Sequence, residues 1–287
     1  MDGKVMKELK RVAAIHDISG FGKCSLTIAL PILSAMGVET AVMPTAVLSA
    51  HTGFDRFTYR DLTEDLHAFK EHWKEVGMKF DAVYSGFLGS FEQIEIVKEF
   101  IKEFKTPDTL VLVDPAMADF GEMYTTFDMD FANEMKSLCE VADIIVPNFT
   151  EATFMLGLDY IKPPYTKEYI EQILKKLADL GPSKIVLTGA DLDDKNVGAA
   201  SYDSKTGEIG YAFSPKIEGD YYGTGDIFAS VLLGAYLNDK TLAESIKFAV
   251  DFTGGCAKRT RDAKIDPLWG VDFEHGIPEL IKNLGLI

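Results

Sequence analysis

Long hydrophobic runs are missing from this sequence. No apolar stretch approaches the roughly 20 residues that a helix needs to cross a bilayer. Cysteine is scarce. Cys24, Cys139 and Cys256 are isolated, odd in number and not at metal-ligand spacing, which argues against a disulfide framework or a zinc module. Positive charge is also short: 29 Lys and Arg against 45 Asp and Glu leave a formal charge of −16. A general nucleic-acid or anionic-membrane surface is therefore not expected. A small anionic substrate stays allowed, because local backbone N–H groups outweigh a distant net charge. The opening residues 1–11 are charged and lack the apolar core of a signal peptide. Linkers, low-complexity tracts and internal repeats are absent too. One domain over residues 1–287 is the simplest expectation, in a soluble cytoplasmic protein.

A phosphate-binding P-loop is also missing, despite a look-alike. Gly22-Lys23-Cys24-Ser25 resembles the end of that motif, but Asp17 stands where its first glycine belongs, and Cys24 replaces the required Ser or Thr.

What the sequence does contain is alternation. Strands are expected over residues 11–16, 39–46, 82–85, 110–113, 144–146 and 184–187. Helices are expected over 25–36, 61–76, 91–104, 127–139 and 168–180. Repeated strand–helix units predict an α/β fold: a doubly wound, mostly parallel sheet with helices on both faces. Residues 199–202 and 209–213 flank Asp203-Ser204-Lys205-Thr206-Gly207 and predict an antiparallel hairpin at one edge. No stretch leaves room for a large lid.

Ligands of such sheets sit beyond the carboxyl ends of the strands. Small, polar and glycine residues gather there: Asp17 to Gly22, Ser49 to Gly53, Ser85-Gly86-Phe87, Asp114-Pro115, Asn148 to Glu151 and Thr188-Gly189. The sharpest stretch is Gly223-Thr224-Gly225-Asp226, ahead of a helical run over residues 227–237. A glycine loop feeding a helix N-terminus makes an anion site. A carboxylate beside that site has an obvious task in accepting a proton. The competing reading of Asp226 is an ordinary first-turn helix acid.

Together these stretches resemble the ribokinase-like superfamily, in particular its pyridoxal/pyridoxamine kinase branch. The resemblance covers nearly the whole chain. It rests on Gly223-Thr224-Gly225-Asp226, on Pro147-Asn148-x-x-Glu151, and on the opening Asp17-x-Ser19-Gly20-x-Gly22 and Ser49-x-His51-Thr52-Gly53. It implies an ATP-dependent kinase acting on the 5′-hydroxymethyl group of a B6 vitamer, with Mg²⁺, a monovalent cation such as K⁺ as a further candidate, and a homodimer.

By the same resemblance, Asp226 is the base and Gly223, Thr224 and Gly225 form the anion hole. Asn148 and Glu151 hold Mg²⁺ through water. Asp114 and Thr188 lie near the nucleotide phosphates, and Phe248 and Val250 line the adenine pocket. Asp17, Ser19, His51, Thr52 and Phe87 face the vitamin. Structural alternatives stay open for several: a solvated helix-start acid for Glu151, a strand-end turn for Asp114, an ordinary strand-end Thr188, and packing for His51, Phe87, Phe248 and Val250. Many pyridoxal kinases carry Ser where Asp17 stands, which leaves the preferred vitamer open. The rival activity is a hydroxymethylpyrimidine (phosphate) kinase of thiamine synthesis, many of which have Cys where this chain has Asp226. A non-catalytic B6- or nucleotide-binding protein is a third reading.

Overall fold

The computed structural model describes residues 9–287, so the charged stretch 1–8 lies outside the described residues. In chain order the first half runs β1 (Lys10–Ser19), α1 (Leu26–Ala35), β2 (Val38–Leu48), β3 (Tyr59–Asp61), α2 (Thr63–Glu75), β4 (Ala82–Ser85), α3 (Phe91–Phe104) and β5 (Leu110–Val113). A short antiparallel pair follows, β6 (Ala118–Asp119) with β7 (Glu122–Met123). Next come α4 (Met129–Cys139), β8 (Ile144–Ile145), α5 (Phe149–Met155), α6 (Lys167–Ala178) and β9 (Lys184–Thr188). The chain ends with β10 (Asn196–Asp203), β11 (Glu208–Pro215), α7 (Thr224–Leu237), α8 (Leu242–Asp262) and α9 (Ile277–Leu284).

Among the described residues, nine strands form one sheet in the order β11-β10-β9-β8-β5-β4-β1-β2-β3. β2, β1, β4, β5, β8 and β9 run parallel to their neighbours within that set. β10 and β11 add antiparallel to β9 at one edge, and β3 pairs antiparallel with β2 at the other. The sheet is the expected doubly wound, mostly parallel one. The chain leaves β1 toward β2, then crosses back to β4 on the other side of β1. That reversal opens a crevice at the carboxyl ends of β1 and β4.

Both faces are covered, which is why the strands read as near-continuous apolar runs. Along β1, Val12 packs with Ile28 and Ile32 of α1 and Ile227 and Val231 of α7. Ala13 and Ile15 point the other way, toward Ile94 and Phe100 of α3 and Phe131 of α4. Helix starts are set by side-chain caps: Ser90 accepts from Gln93 N, Asp128 from Phe131 N and Thr166 from Tyr169 N.

Strands β4 and β5 and helix α3 fall on their expected residues. β1 is longer than expected, because a register shift between His16 and Ile18 carries the pairing on to Ser19. Asp17 and Ser19 thus stand on a strand end rather than in a loop. β3 was not foreseen: its three residues are exposed and carry no apolar period. α5 and α9 were not foreseen either. No large lid covers the crevice among the described residues.

Candidate active site

The glycine loop is shaped by contacts that exclude a side chain. Gly223 takes φ 80°, and a methyl group on it would stand 2.2 Å from the Lys23 carbonyl oxygen. Thr224 Oγ1 donates to Tyr221 O at 3.0 Å, and Ile227 N closes the first turn on Gly223 O at 3.0 Å. The first-turn N–H groups at residues 224–226 have no intrahelical carbonyl to bind. Space beside Gly225 is open. An anion that approaches here meets backbone N–H groups and the positive end of α7.

Asp226 is the acid of that first turn. Its Oδ2 accepts the backbone N–H of Ser25 at 2.9 Å. Burial pushes its carboxyl up to about 7; the Ser25 N–H pulls against that, and the charge of Asp17 adds to it. Asp17 is 4 % exposed and accepts the Ser25 hydroxyl on one oxygen and the Ser19 hydroxyl, at 2.9 Å, on the other. Burial raises this acid too. Each Asp17 oxygen is therefore engaged inside the protein.

A second pair of acids lies along the same edge. Asp114 follows β5, where its N–H donates to Ser85 O at 2.9 Å, and burial followed by the charge of Asp226 raises its carboxyl. Glu151 is 3 % exposed, which removes the reading of it as a solvated helix-start acid. It completes a capping box on α5: Asn148 Oδ1 accepts Glu151 N at 2.9 Å, and Glu151 Oε2 accepts Asn148 N at 2.8 Å. Its Oε1 accepts Met117 N at 3.2 Å, while Asn148 Nδ2 donates to Ala118 O at 2.8 Å. Burial and then Asp114 hold the Glu151 carboxyl well above its usual range. Thr188 is bridged to Asn148, and its N–H donates to Pro147 O at 3.0 Å.

His51 is a packed loop residue that joins three segments. Its Nε2 donates to Leu268 O at 2.8 Å, so Nδ1 is the nitrogen that accepts Gly53 N at 3.1 Å. The ring stacks on Tyr222 with centroids 4.5 Å apart. Burial lowers its basicity, so the ring is neutral, as that tautomer needs. Thr52 beside it is exposed. Phe87 is half-buried and tilts against Phe127 at 5.6 Å.

The adenine-pocket residues divide. Val250 is core, 5 % exposed, among residues of α7. Phe248 lines a groove with Glu279, Leu280 and Asn283 of α9. Asp17, Ser19, Asp114, Asn148, Glu151, Thr188 and the glycine loop gather at one sheet edge, while Phe248 faces the groove beside α9. Sequence reading missed Ser25, which touches two of the acids, and Tyr222, which stacks on His51. Ser25 lay inside the rejected P-loop look-alike.

This arrangement of anion-binding loop, adjacent acid and sheet-edge crevice belongs to a small-molecule kinase. The chain is a member of the phosphomethylpyrimidine kinase family, whose model matches residues 32–266. Its relatives set it on the pyridoxal kinase branch of the ribokinase-like fold. A Bacteroides thetaiotaomicron protein assigned as a phosphomethylpyrimidine kinase, in a crystal form with pyridoxal, is 36 % identical, with TM-score 0.90 over 97 % of this chain and 96 % of that one. The pyridoxal kinase of Lactobacillus plantarum is 28 % identical, with TM-score 0.88 over 96 % and 98 % of the two chains. The hydroxymethylpyrimidine/phosphomethylpyrimidine kinase of Aquifex aeolicus is 29 % identical over 202 residues, 69 % of this chain and 73 % of that one.

Proposed function

We propose that the protein transfers the γ-phosphoryl group of ATP to the 5′-hydroxymethyl group of a B6 vitamer. The observation that carries this reading is Asp226 in the first turn of α7, beside the glycine loop and held by Ser25 N–H. Asp226 orients the acceptor hydroxyl and takes its proton as the oxygen attacks the γ-phosphorus, and ADP leaves. The N–H groups of Gly223, Thr224 and Gly225 receive the charge of the transferring group. Asp114, Asn148 and Thr188 line the phosphate side, and Ser19, His51, Thr52 and Phe87 the vitamin side.

Four acids along one edge, Asp17, Asp226, Asp114 and Glu151, are buried; Asp226 feels the charge of Asp17, Asp114 that of Asp226, and Glu151 that of Asp114. Among the described residues no three of these acids converge to hold a metal directly, so Mg²⁺, which keeps several of its waters, would be held through them. Bound Mg²⁺ supplies neutralisation of the phosphate charge. Asn148 and Glu151 would hold it through water, since their side chains are spent on the cap. Replacing KCl with choline chloride reads whether K⁺ is also needed, and sedimentation velocity reads whether the protein is a dimer.

The test removes the base alone. Asp226→Asn should lower kcat by about 10²–10⁴-fold, the usual worth of a positioned base, with MgATP affinity within about twofold. Activity within a few-fold of wild type would remove Asp226 from the chemistry.

A further inference from the structure

Ser25 joins two acids that the sequence separates by more than two hundred positions. Its N–H donates to Asp226 Oδ2 at 2.9 Å, and its hydroxyl donates to Asp17 Oδ1. The backbone that permits both bonds is strained: Ser25 lies at φ 56°, ψ −127°, a region that a residue with a Cβ avoids. Such strain persists where the surroundings over-determine it. Here they do. The Lys23 carbonyl abuts Gly223, and the Gly22 carbonyl oxygen lies 2.2 Å from where a methyl group on Gly270 would stand. Lys23 Nζ ties the segment to Val271 O at 3.1 Å and to Glu274 at 2.8 Å. Ser25 is also bridged to Ile18 of β1.

We propose that Ser25 is a positioning residue for phosphoryl transfer, with Asp17 as its anchor. By occupying Oδ2, the Ser25 amide fixes the rotation of the Asp226 carboxylate and leaves Oδ1 toward the acceptor hydroxyl. Asp17, by accepting the Ser25 hydroxyl, holds the strained turn in the conformation that aims this amide. Asp17 then acts through Ser25 and does not read a substituent of the vitamin directly. The inference rests on the functional reading above, in which Asp226 is the base. Its physical basis is that a reacting group misplaced by about 1 Å can cost on the order of 100-fold in rate.

The test compares kcat, KM and melting temperature across a small set of variants. Ser25→Ala removes the anchor bond, and kcat should fall about 10–100-fold, with vitamer KM and MgATP affinity within about twofold. Asp17→Ala should do the same, and the double variant should be no worse than the poorer single one, because both cut one chain of contacts. Asp17→Asn keeps an acceptor for the Ser25 hydroxyl and should stay within about fivefold of wild type. Ser25→Gly tolerates φ 56° without strain, so it keeps the fold and should lie between wild type and Ser25→Ala. If Ser25→Ala does not fold, Ser25→Gly and Asp17→Ala carry the test. Wild-type kcat in Ser25→Ala with only a lower melting temperature would overturn the proposal. So would an Asp17→Ala variant with raised vitamer KM and intact kcat. A wild-type protein that turns over no B6 vitamer fails the functional reading itself, which separates the two failures.

Discussion

Asp226 accepts the Ser25 N–H and feels the negative charge of Asp17, yet burial is the larger influence and lifts its carboxyl to about 7. A base must be ionised to accept a proton. Activity should therefore rise with pH through about 7 and level off above it, because the free-enzyme kcat/KM reports this group. A kcat/KM profile flat between pH 5 and 8 would contradict that. Residue-scale legibility was uneven. The glycine loop announced itself, because φ 80° beside the Lys23 carbonyl admits only glycine. Ser25 did not, because its importance comes from a backbone N–H and an unusual dihedral pair, neither of which has a sequence letter.

Among the elements, α5 shows how one side chain serves two ends. Glu151 caps its own helix and also accepts Met117 N, next to β6. Gln in its place can accept through one atom only, so one buried N–H would lose its partner, at about 1–3 kcal/mol. Glu151→Gln should therefore lower the melting temperature and, with a charge near the phosphate side removed, raise the Mg²⁺ concentration needed for half-maximal rate. Thermal denaturation and a Mg²⁺ titration read the two effects separately; an unchanged titration would leave Glu151 a cap alone. The central strands were legible because burial on both faces leaves short apolar runs. β3 and α5 were not: the first is exposed and three residues long, and the second is a seven-residue helix whose start looks like a loop.

The whole molecule carries the cost of keeping these acids together. Raised carboxyls mean that the folded protein binds protons which the unfolded chain releases near pH 4. Their stabilising contribution is thus present at low pH and is lost as pH rises through the folded values, about 7 for Asp226. Nucleotide-free protein should melt at progressively lower temperature from pH 5 to 8.5, MgATP should offset the loss, and Asp114→Asn should flatten the slope. A melting temperature that rises across this range would contradict the account. At this scale the parallel sheet with helices on both faces and its antiparallel edge hairpin followed from the alternation in the sequence, whereas the strand order is set by long-range pairing that alternation does not encode. Nor does alternation encode the acceptor. Steady-state turnover with MgATP across pyridoxal, pyridoxamine, pyridoxine and hydroxymethylpyrimidine tests it most directly. The account predicts a 5′-phosphorylated B6 vitamer as product, with at least one vitamer exceeding hydroxymethylpyrimidine in kcat/KM. Turnover of hydroxymethylpyrimidine alone, or ATP consumption without a phosphorylated vitamer, would contradict it.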